Sequence, residues 1–410
     1  MAQSIKLSLV YFDAGGGHRS AAIALQSVIA SLHPDWNVRL VNLQEILDSL
    51  DIFRKITGIR LQDIYNLILA KGWTLGSTQL LQLLHGIIRI YLPAQVRLLS
   101  GFWEQESPDM VVSLVPNFNR ALFQSLHRVF PEAPFVTILT DLADYPPHFW
   151  IEKQPQYVVC GTARAAEQAS ALGYPNLHVF RTTGMILRRE FYEIPELDVA
   201  SERARRGLQQ DLPTGLVLFG GAGSKVMYAI AERLGNSSLD LQLIMICGRN
   251  VKLRQKLECL QTRNRIFVEG FTKEVPYYMR LADFFVGKPG PGSISEAVQM
   301  RLPVIIERNA WTLPQERYNA EWVQQQGVGL VLRSFRSIES AVRDLLAGNQ
   351  LQTMKSRMAG LENRAVFEIP PMLEKILEEN SPKPELPATH ASDNAGSAGG
   401  EVADTGFSKS

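Results

Sequence analysis

Short, nearly continuous apolar runs alternate along the chain with longer segments whose apolar residues recur every three or four positions. The runs Ile5–Phe12, Asn37–Leu43, Met110–Val115, Phe135–Thr140 and Tyr157–Cys160 predict strands, because unbroken apolar runs bounded by turn residues suit strands covered on both faces. The same rhythm restarts at Leu216–Gly220 and continues through Leu241–Cys247, Arg265–Glu269, Phe284–Gly287 and Pro303–Glu307. Helical spacing between successive strands calls for an α/β fold with parallel sheets. The pattern lapses over Phe191–Pro213, where Pro, Glu and Arg replace the apolar periodicity, and a linker between two doubly wound domains is expected there.

Two stretches break the rhythm. Between Asp48 and Glu106 lies a long, helical, Leu- and Ile-rich insertion that includes the run Leu80–Leu92. Trp73, Tyr91, Phe102 and Trp103 stand near that run, and Lys71, Arg89 and Arg97 flank it with positive charge. An apolar mass with aromatic and cationic borders suits a membrane interface, although Leu-rich helices are more often core. The second stretch, Ser381–Ser410, has almost nothing apolar to bury and is expected to be disordered. A last helix is expected around Phe367–Glu379.

The composition narrows the function. In 410 residues, 42 Lys and Arg oppose 41 Asp and Glu, so no global field attracts nucleic acid and any anion site must be local. Three cysteines, Cys160, Cys247 and Cys259, are too few and scattered for a disulfide framework or a tetrahedral metal site. A reduced, intracellular protein is expected. The apolar start Ile5–Phe12 is too short for a signal peptide, and no apolar run of about 18 residues predicts a membrane span.

Several turns between strand and helix carry candidate chemistry. The first strand runs into Gly15-Gly16-Gly17-His18 and then a helical Ala-rich segment. Glycines there admit a ligand to the backbone, and a helix N-terminus offers free N–H groups and partial positive charge. The pattern is neither the dinucleotide fingerprint nor a Walker loop. His18 adds a candidate general base at the carboxyl end of a strand, where open α/β sheets bind ligands. A plain tight turn is the bland alternative.

Lys288-Pro289-Gly290-Pro291-Gly292-Ser293 likewise joins a strand to a helix, and its Gly and Ser N–H groups suit a diphosphate with Lys288 adding charge. Glu296, just inside that helix, is suited to accept hydrogen bonds from ribose hydroxyls, though any acid favours a helix N-terminus. Gly221-Ala222-Gly223-Ser224 is a second candidate phosphate cradle. Gln315 and Glu316 open a later helix as paired donors and acceptors for sugar hydroxyls. Asp141, Asp144 and His148 form a polar cluster after Thr140, read as substrate-side because two carboxylates are too few oxygens for a hard cation. No metal site is expected.

Taken in order, these residues resemble the inverting GT-B glycosyltransferases that include monogalactosyldiacylglycerol synthases, processive diacylglycerol glucosyltransferases and the peptidoglycan N-acetylglucosaminyltransferase. The resemblance rests on Gly15–His18, Thr140-Asp141, Ile246–Asn250, Gly270-Phe271, Val286–Ala297, Leu302–Ile305 and Pro314–Asn319, and spans about Leu7 to Asn363. It implies two facing Rossmann-like domains with a cleft between them. The expected parts are an acceptor-binding domain over 1–195 that carries a membrane-facing insertion at 48–106, and a nucleotide-sugar domain over 196–365. A helix at 366–380 returns to the first domain, before a tail over 381–410.

The resemblance further implies a UDP-sugar donor without a tightly bound cofactor. The expected donor residues are Gly221, Ser224, Arg249, Gly290, Gly292, Ser293, Glu296, Gln315, Glu316 and Asn319. Gly15, Gly16 and Gly17 face the acceptor, with His18 as the base and Asp141 as second candidate. The implied activity transfers a hexose to a lipid hydroxyl, most simply that of diacylglycerol, by a cytoplasmic protein bound peripherally to a membrane. Departures fall near the donor sugar: Gly287-Lys288-Pro289-Gly290-Pro291-Gly292 replaces Thr-Lys-Ala-Gly-Pro-Gly, and Arg308–Leu313 replaces a shorter turn. Two rivals share the architecture: a nucleotide-sugar epimerase, and a catalytically inactive nucleotide-sugar-binding protein.

Overall fold

The computed structural model describes residues 4–13, 16–48, 88, 90–193 and 195–380. Two six-stranded sheets form, each wholly parallel. The first contains β1 (Lys6–Tyr11), β2 (Asn37–Asn42), β3 (Met110–Ser113), β4 (Phe135–Ile138), β5 (Tyr157–Cys160) and β6 (Val179–Arg181) in the order β2-β1-β3-β4-β5-β6. The second contains β7 (Thr214–Leu218), β8 (Gln242–Ile246), β9 (Ile266–Glu269), β10 (Phe284–Gly287), β11 (Val304–Glu307) and β12 (Gly329–Leu332) in the order β12-β11-β10-β7-β8-β9.

All ten expected strands form, most of them trimmed by a residue or two. β3, β4, β7, β8 and β10 are buried at every position, which is why their sequences are unbroken apolar runs. β6 and β12 were not anticipated. Each is short, lies at a sheet edge and is only partly covered; β6 is three residues ending in Arg181, whereas β12 is a brief apolar run, Gly329–Leu332, that the expectation passed over. Apolar clusters lie on both faces of each sheet: those around Leu9 and Leu122 serve the first, and those around Leu216 and Leu243 the second.

The expected linker is better ordered than its composition implies. Asp198 accepts the Ser201 backbone N–H at 3.3 Å and starts a short helix, Val199–Arg205. From it the buried Arg203 guanidinium reaches Leu281 O at 2.9 Å, Gln210 O at 2.8 Å and the Asp283 carboxylate at 2.9 Å. A charged residue that reads as solvent-facing in sequence therefore anchors the segment to the second sheet.

The chain passes back at 363–368. The Thr183 N–H and hydroxyl donate to the Glu368 carboxylate at 2.8 and 2.9 Å, and the Asn363 amide donates to Met185 O at 2.9 Å. Gly184 is needed there, since a Cβ would sit 2.6 Å from the Asn363 side chain. The following helix, Ala365–Asn380, buries Ile369, Leu373 and Ile376 in the cluster beneath the first sheet together with Leu7 and Val112.

Of the Asp48–Glu106 insertion, residues 49–87 and 89, which include Lys71, Trp73 and most of Leu80–Leu92, lie outside the described residues, as does the tail 381–410. The end of the insertion corrects one expectation. Helix Leu92–Glu106 lies against helix Asn119–Val129, and Trp103 is 0% exposed with its indole N–H donating to the Ser125 hydroxyl at 2.9 Å. Trp103 is a core residue of the first sheet. Its amphipathic ring fits an interface in composition, but a hydroxyl partner inside the fold satisfies it there.

Candidate functional site

Topology selects the places where ligands bind. In the first sheet β2 and β3 flank β1 on opposite sides, so the chain reverses direction at the carboxyl ends of β1 and β3. In the second sheet β8 and β10 flank β7, and the reversal falls between β7 and β10. The glycine turns at 16–17, 220–224 and 288–292 follow β1, β7 and β10, at these two switch points.

On the first sheet, Gly16 caps helix Gly17–Leu32 with φ 81°, and a Cβ at Gly16 or Gly17 would meet no atom within 4 Å. Gly15 lies outside the described residues. His18, in the first turn of that helix, has Nδ1 2.9 Å from the Thr140 hydroxyl and its ring 5.8 Å from the Trp150 indole. Burial lowers its pKa to about 4, against a hydrogen bond to the Leu114 backbone that raises it. The imidazole is therefore neutral near pH 7, in the form that accepts a proton.

Asp141 is 8% exposed, and the Trp150 indole N–H donates to its carboxylate at 2.8 Å. Burial pushes its pKa up to about 7 against that hydrogen bond; Glu316 pushes in the same direction as burial, and Lys288 pulls back. Glu316, on helix Pro314–Gln326, and Lys288, just after β10, belong to the second half of the chain. Asp141 thus feels charges from both halves of the molecule.

Asp144 differs from the expectation of a substrate-side group. Its carboxylate accepts the backbone N–H groups of His148 at 3.0 Å and Trp150 at 2.6 Å, while its own N–H and carbonyl are held by Gln168 at 2.8 and 2.9 Å. It clamps the 141–151 loop. His148 is exposed and bonds within the same loop, its Nδ1 3.2 Å from Ile151 O.

On the second sheet, helix Pro291–Gln299 starts without a side-chain cap, leaving the N–H groups of Gly292 and Ser293 at its open end. Helix Val226–Gly235 also starts without a side-chain cap, after Gly221–Ser224, where the Ser224 hydroxyl accepts the Val226 N–H at 3.4 Å. Arg249 donates its backbone N–H to Gly221 O at 2.8 Å and lays its guanidinium 4.3 Å from the centre of the Phe271 ring. Gly248 has φ 58°, and a Cβ there would lie 2.3 Å from Gly221 O, so only glycine lets these two turns touch.

Helix Pro314–Gln326 brings Gln315, Glu316 and Asn319 to the same place. Glu316 is 9% exposed and pairs with Lys288 at 3.2 Å. Asn319 is 0% exposed and donates to Pro289 O at 2.8 Å, fixing the 288–292 turn, while its Oδ1 is buried without a hydrogen-bond partner. Burial raises the Glu296 pKa to about 7, and Arg188 partly opposes the shift. The candidates after β7, β10 and β11 therefore converge on one edge of the second sheet.

Trp150, which touches both Asp141 and His18, was not singled out in the sequence, and Thr140 was named only beside Asp141, not as a partner of His18. Nor was the Lys288–Glu316 pair or the contact of Tyr145 with Tyr318, whose ring centres are 5.7 Å apart. A buried tryptophan looks like core in any sequence. The pairs lie 28 and 173 residues apart and leave no local signal.

Two parallel Rossmann-like sheets, each with glycine turns at its switch point, define a two-domain GT-B protein. Residues 216–368 match the family model of the glycosyltransferase family 28 C-terminal domain. Over that stretch the second half of the chain resembles a glycosyltransferase domain of the GT-B fold. It is 26% identical to monogalactosyldiacylglycerol synthase 1 of Arabidopsis thaliana over 94% of this chain and 73% of that relative. Among solved structures, MurG of Acinetobacter baumannii shares 12% identity and a TM-score of 0.54 over 91% of this chain and 99% of that one. UDP-GlcNAc 2-epimerase of Neisseria meningitidis, solved with UDP-GlcNAc, shares 14% identity and a TM-score of 0.58 over 92% of this chain and 100% of that one. Likeness to these two structures concerns the fold alone.

Proposed function

We propose that this glycosyltransferase moves a hexose from UDP to a lipid hydroxyl, that of diacylglycerol, giving a β-glycolipid by inversion. The observation that carries the reading is the facing placement of two groups: His18 and Asp141 around Trp150 after β1 and β4, and the open helix starts with the Lys288–Glu316 pair after β7, β10 and β11. Residues 1–195 then form the acceptor half, 196–365 the donor half, and 366–380 the return to the first.

In this reading Gly221, Ser224, Gly290, Gly292, Ser293 and Lys288 hold the diphosphate, and Glu296 accepts the ribose hydroxyls. Gln315, Glu316 and Asn319 meet the sugar side, and Arg249 lies on the nucleotide side. The acceptor oxygen attacks C1 of the sugar as its proton passes to neutral His18. The bond from C1 to the diphosphate oxygen breaks, and the charge gained by UDP is taken up by the two open helix ends and Lys288. Asp141, once ionised, stabilises the imidazolium that forms.

The lipid acceptor is supported by the likeness to the Arabidopsis thaliana synthase and by the apolar, cation-flanked composition of Leu80–Leu92. No helix among the described residues is long and apolar enough to cross a membrane. Contact with the bilayer is therefore proposed as peripheral, through residues of the 48–106 insertion, from the cytoplasmic side. The test is incubation with labelled UDP-glucose, UDP-galactose and UDP-N-acetylglucosamine, with and without diacylglycerol vesicles. Labelled glycolipid is the expected product. A soluble isomerised sugar would instead establish an epimerase, and saturable binding without turnover a nucleotide-sugar-binding protein.

A further inference from the structure

Away from the chain crossings at 183–213 and 363–368, the two halves also meet through a pair of aromatic rings. Tyr145, on the loop that follows β4, lies 5.7 Å from Tyr318 with the ring planes at 41°. Neither ring is loosely held. The Arg164 guanidinium donates to the Tyr145 hydroxyl from Nη2 at 2.8 Å and from Nε at 3.2 Å, and lies 5.9 Å from the ring centre. The neighbouring residue Asp144 is tied to Gln168 through both its N–H and its carbonyl. Tyr318 sits one turn beyond Gln315, beside the Asn319 that fixes Pro289 O.

Each ring therefore reports the position of a rigid assembly. One carries Asp141 and Trp150; the other carries Gln315, Glu316 and the 288–292 turn. An edge-tilted aromatic contact is favourable only over a narrow range of separation, so it defines a register between the two. We propose that Tyr145 and Tyr318 are positioning residues forming a clasp, which holds the acceptor-side loop against the sugar-reading helix so that the acceptor hydroxyl, and not water, reaches C1. The assignment rests on the transferase reading above. When the clasp fails, water attacks C1, its proton passes to the same base, the C1–diphosphate bond breaks, and the products are free hexose and UDP.

The experiment uses the full chain with UDP-hexose and diacylglycerol vesicles, measuring glycolipid, free hexose and UDP affinity for Tyr318→Ala, Tyr318→Phe and Tyr145→Phe. Tyr318→Ala is expected to bind UDP as the unaltered chain does, while kcat for glycolipid falls by about tenfold or more and the share of donor hydrolysed rises. Tyr318→Phe keeps the ring and should restore both. Tyr145→Phe, which loses only the hydroxyl held by Arg164, should shift the same two quantities in the same direction, and it serves if Tyr318→Ala does not fold. Unchanged kcat and hydrolysis in folded variants would overturn the clasp. If the unaltered chain forms no glycolipid, the functional reading fails, and the clasp is read from small-angle scattering with UDP. A larger radius of gyration for Tyr318→Ala supports it, and equal radii overturn it.

Discussion

The indole N–H of Trp150 donates to the Asp141 carboxylate at 2.8 Å, while the same ring lies 5.8 Å from the His18 imidazole. One fully buried side chain thus touches both candidate catalytic groups. Its own backbone is held by Asp144 at 2.6 Å and by the Asn119 amide, which donates to Trp150 O at 2.8 Å. Trp150→Phe keeps an aromatic ring, smaller than the indole, and removes the donor. Because that hydrogen bond lowers the Asp141 pKa, its loss should move the acidic limb of the rate profile to higher pH. Turnover against pH for both proteins checks this, and coincident limbs would remove Trp150 from the site.

The pH dependence of the unaltered chain should contain two steps. His18 is pushed down to about 4 and is neutral above that value; Asp141 is pushed up to about 7 and ionises only near it. Turnover should therefore fall first as pH drops through about 7 and again near 4. Asp141→Asn should lower the rate and abolish the step near 7 while leaving the lower one. A profile unchanged in shape would assign the upper step to another group.

Stability should run the other way. The Asp141 pKa rises from 3.8 in its ordinary state to about 7 in the fold, so the folded chain holds the proton more tightly. Its contribution is fully present below about pH 4 and is lost as pH rises through about 7, with a limiting slope of about 1.4 kcal/mol per pH unit. Asp141→Asn should gain on the unaltered chain between pH 4.5 and 8 in urea unfolding. A constant difference across that range would contradict the assignment.

Glu296 makes a thermodynamic prediction for donor binding. Burial holds its carboxyl near pKa 7 in the free protein. Ribose hydroxyls donating to the carboxylate would favour the charged form, so UDP binding at pH 6.5 should release protons. Calorimetry in buffers of different ionisation enthalpy measures the release, and Glu296→Gln should abolish it and weaken binding by about 1–3 kcal/mol.

Lys288 and Glu316 should be energetically coupled. Lys288→Met leaves a nearly buried carboxylate without its 3.2 Å partner, whereas Lys288→Met with Glu316→Gln removes both charges. Since Lys288 is half exposed, the coupling in a double-mutant cycle should be modest, about 1 kcal/mol. The single variant should also weaken UDP binding more than it weakens uridine binding. Equal effects on the two ligands would separate Lys288 from the diphosphate.

What the sequence alone determined was local. Unbroken apolar runs specify buried parallel strands because both faces of such strands are covered, and glycine turns after strands mark possible phosphate contacts because the backbone is bare there. Hence ten of the twelve strands were legible, as was the placing of His18, Gly292, Glu296 and Gln315 on turns and helix starts after strands. Tertiary structure decided which neighbours those residues have. It drew Trp103 into the core, turned Asp144 from a substrate group into a loop clamp, and docked Arg203 where a linker was expected. It also brought Trp150 to Asp141, Lys288 to Glu316 and Tyr145 to Tyr318. Burial and pKa depend on everything within a few ångströms in space, whereas periodicity records only neighbours along the chain.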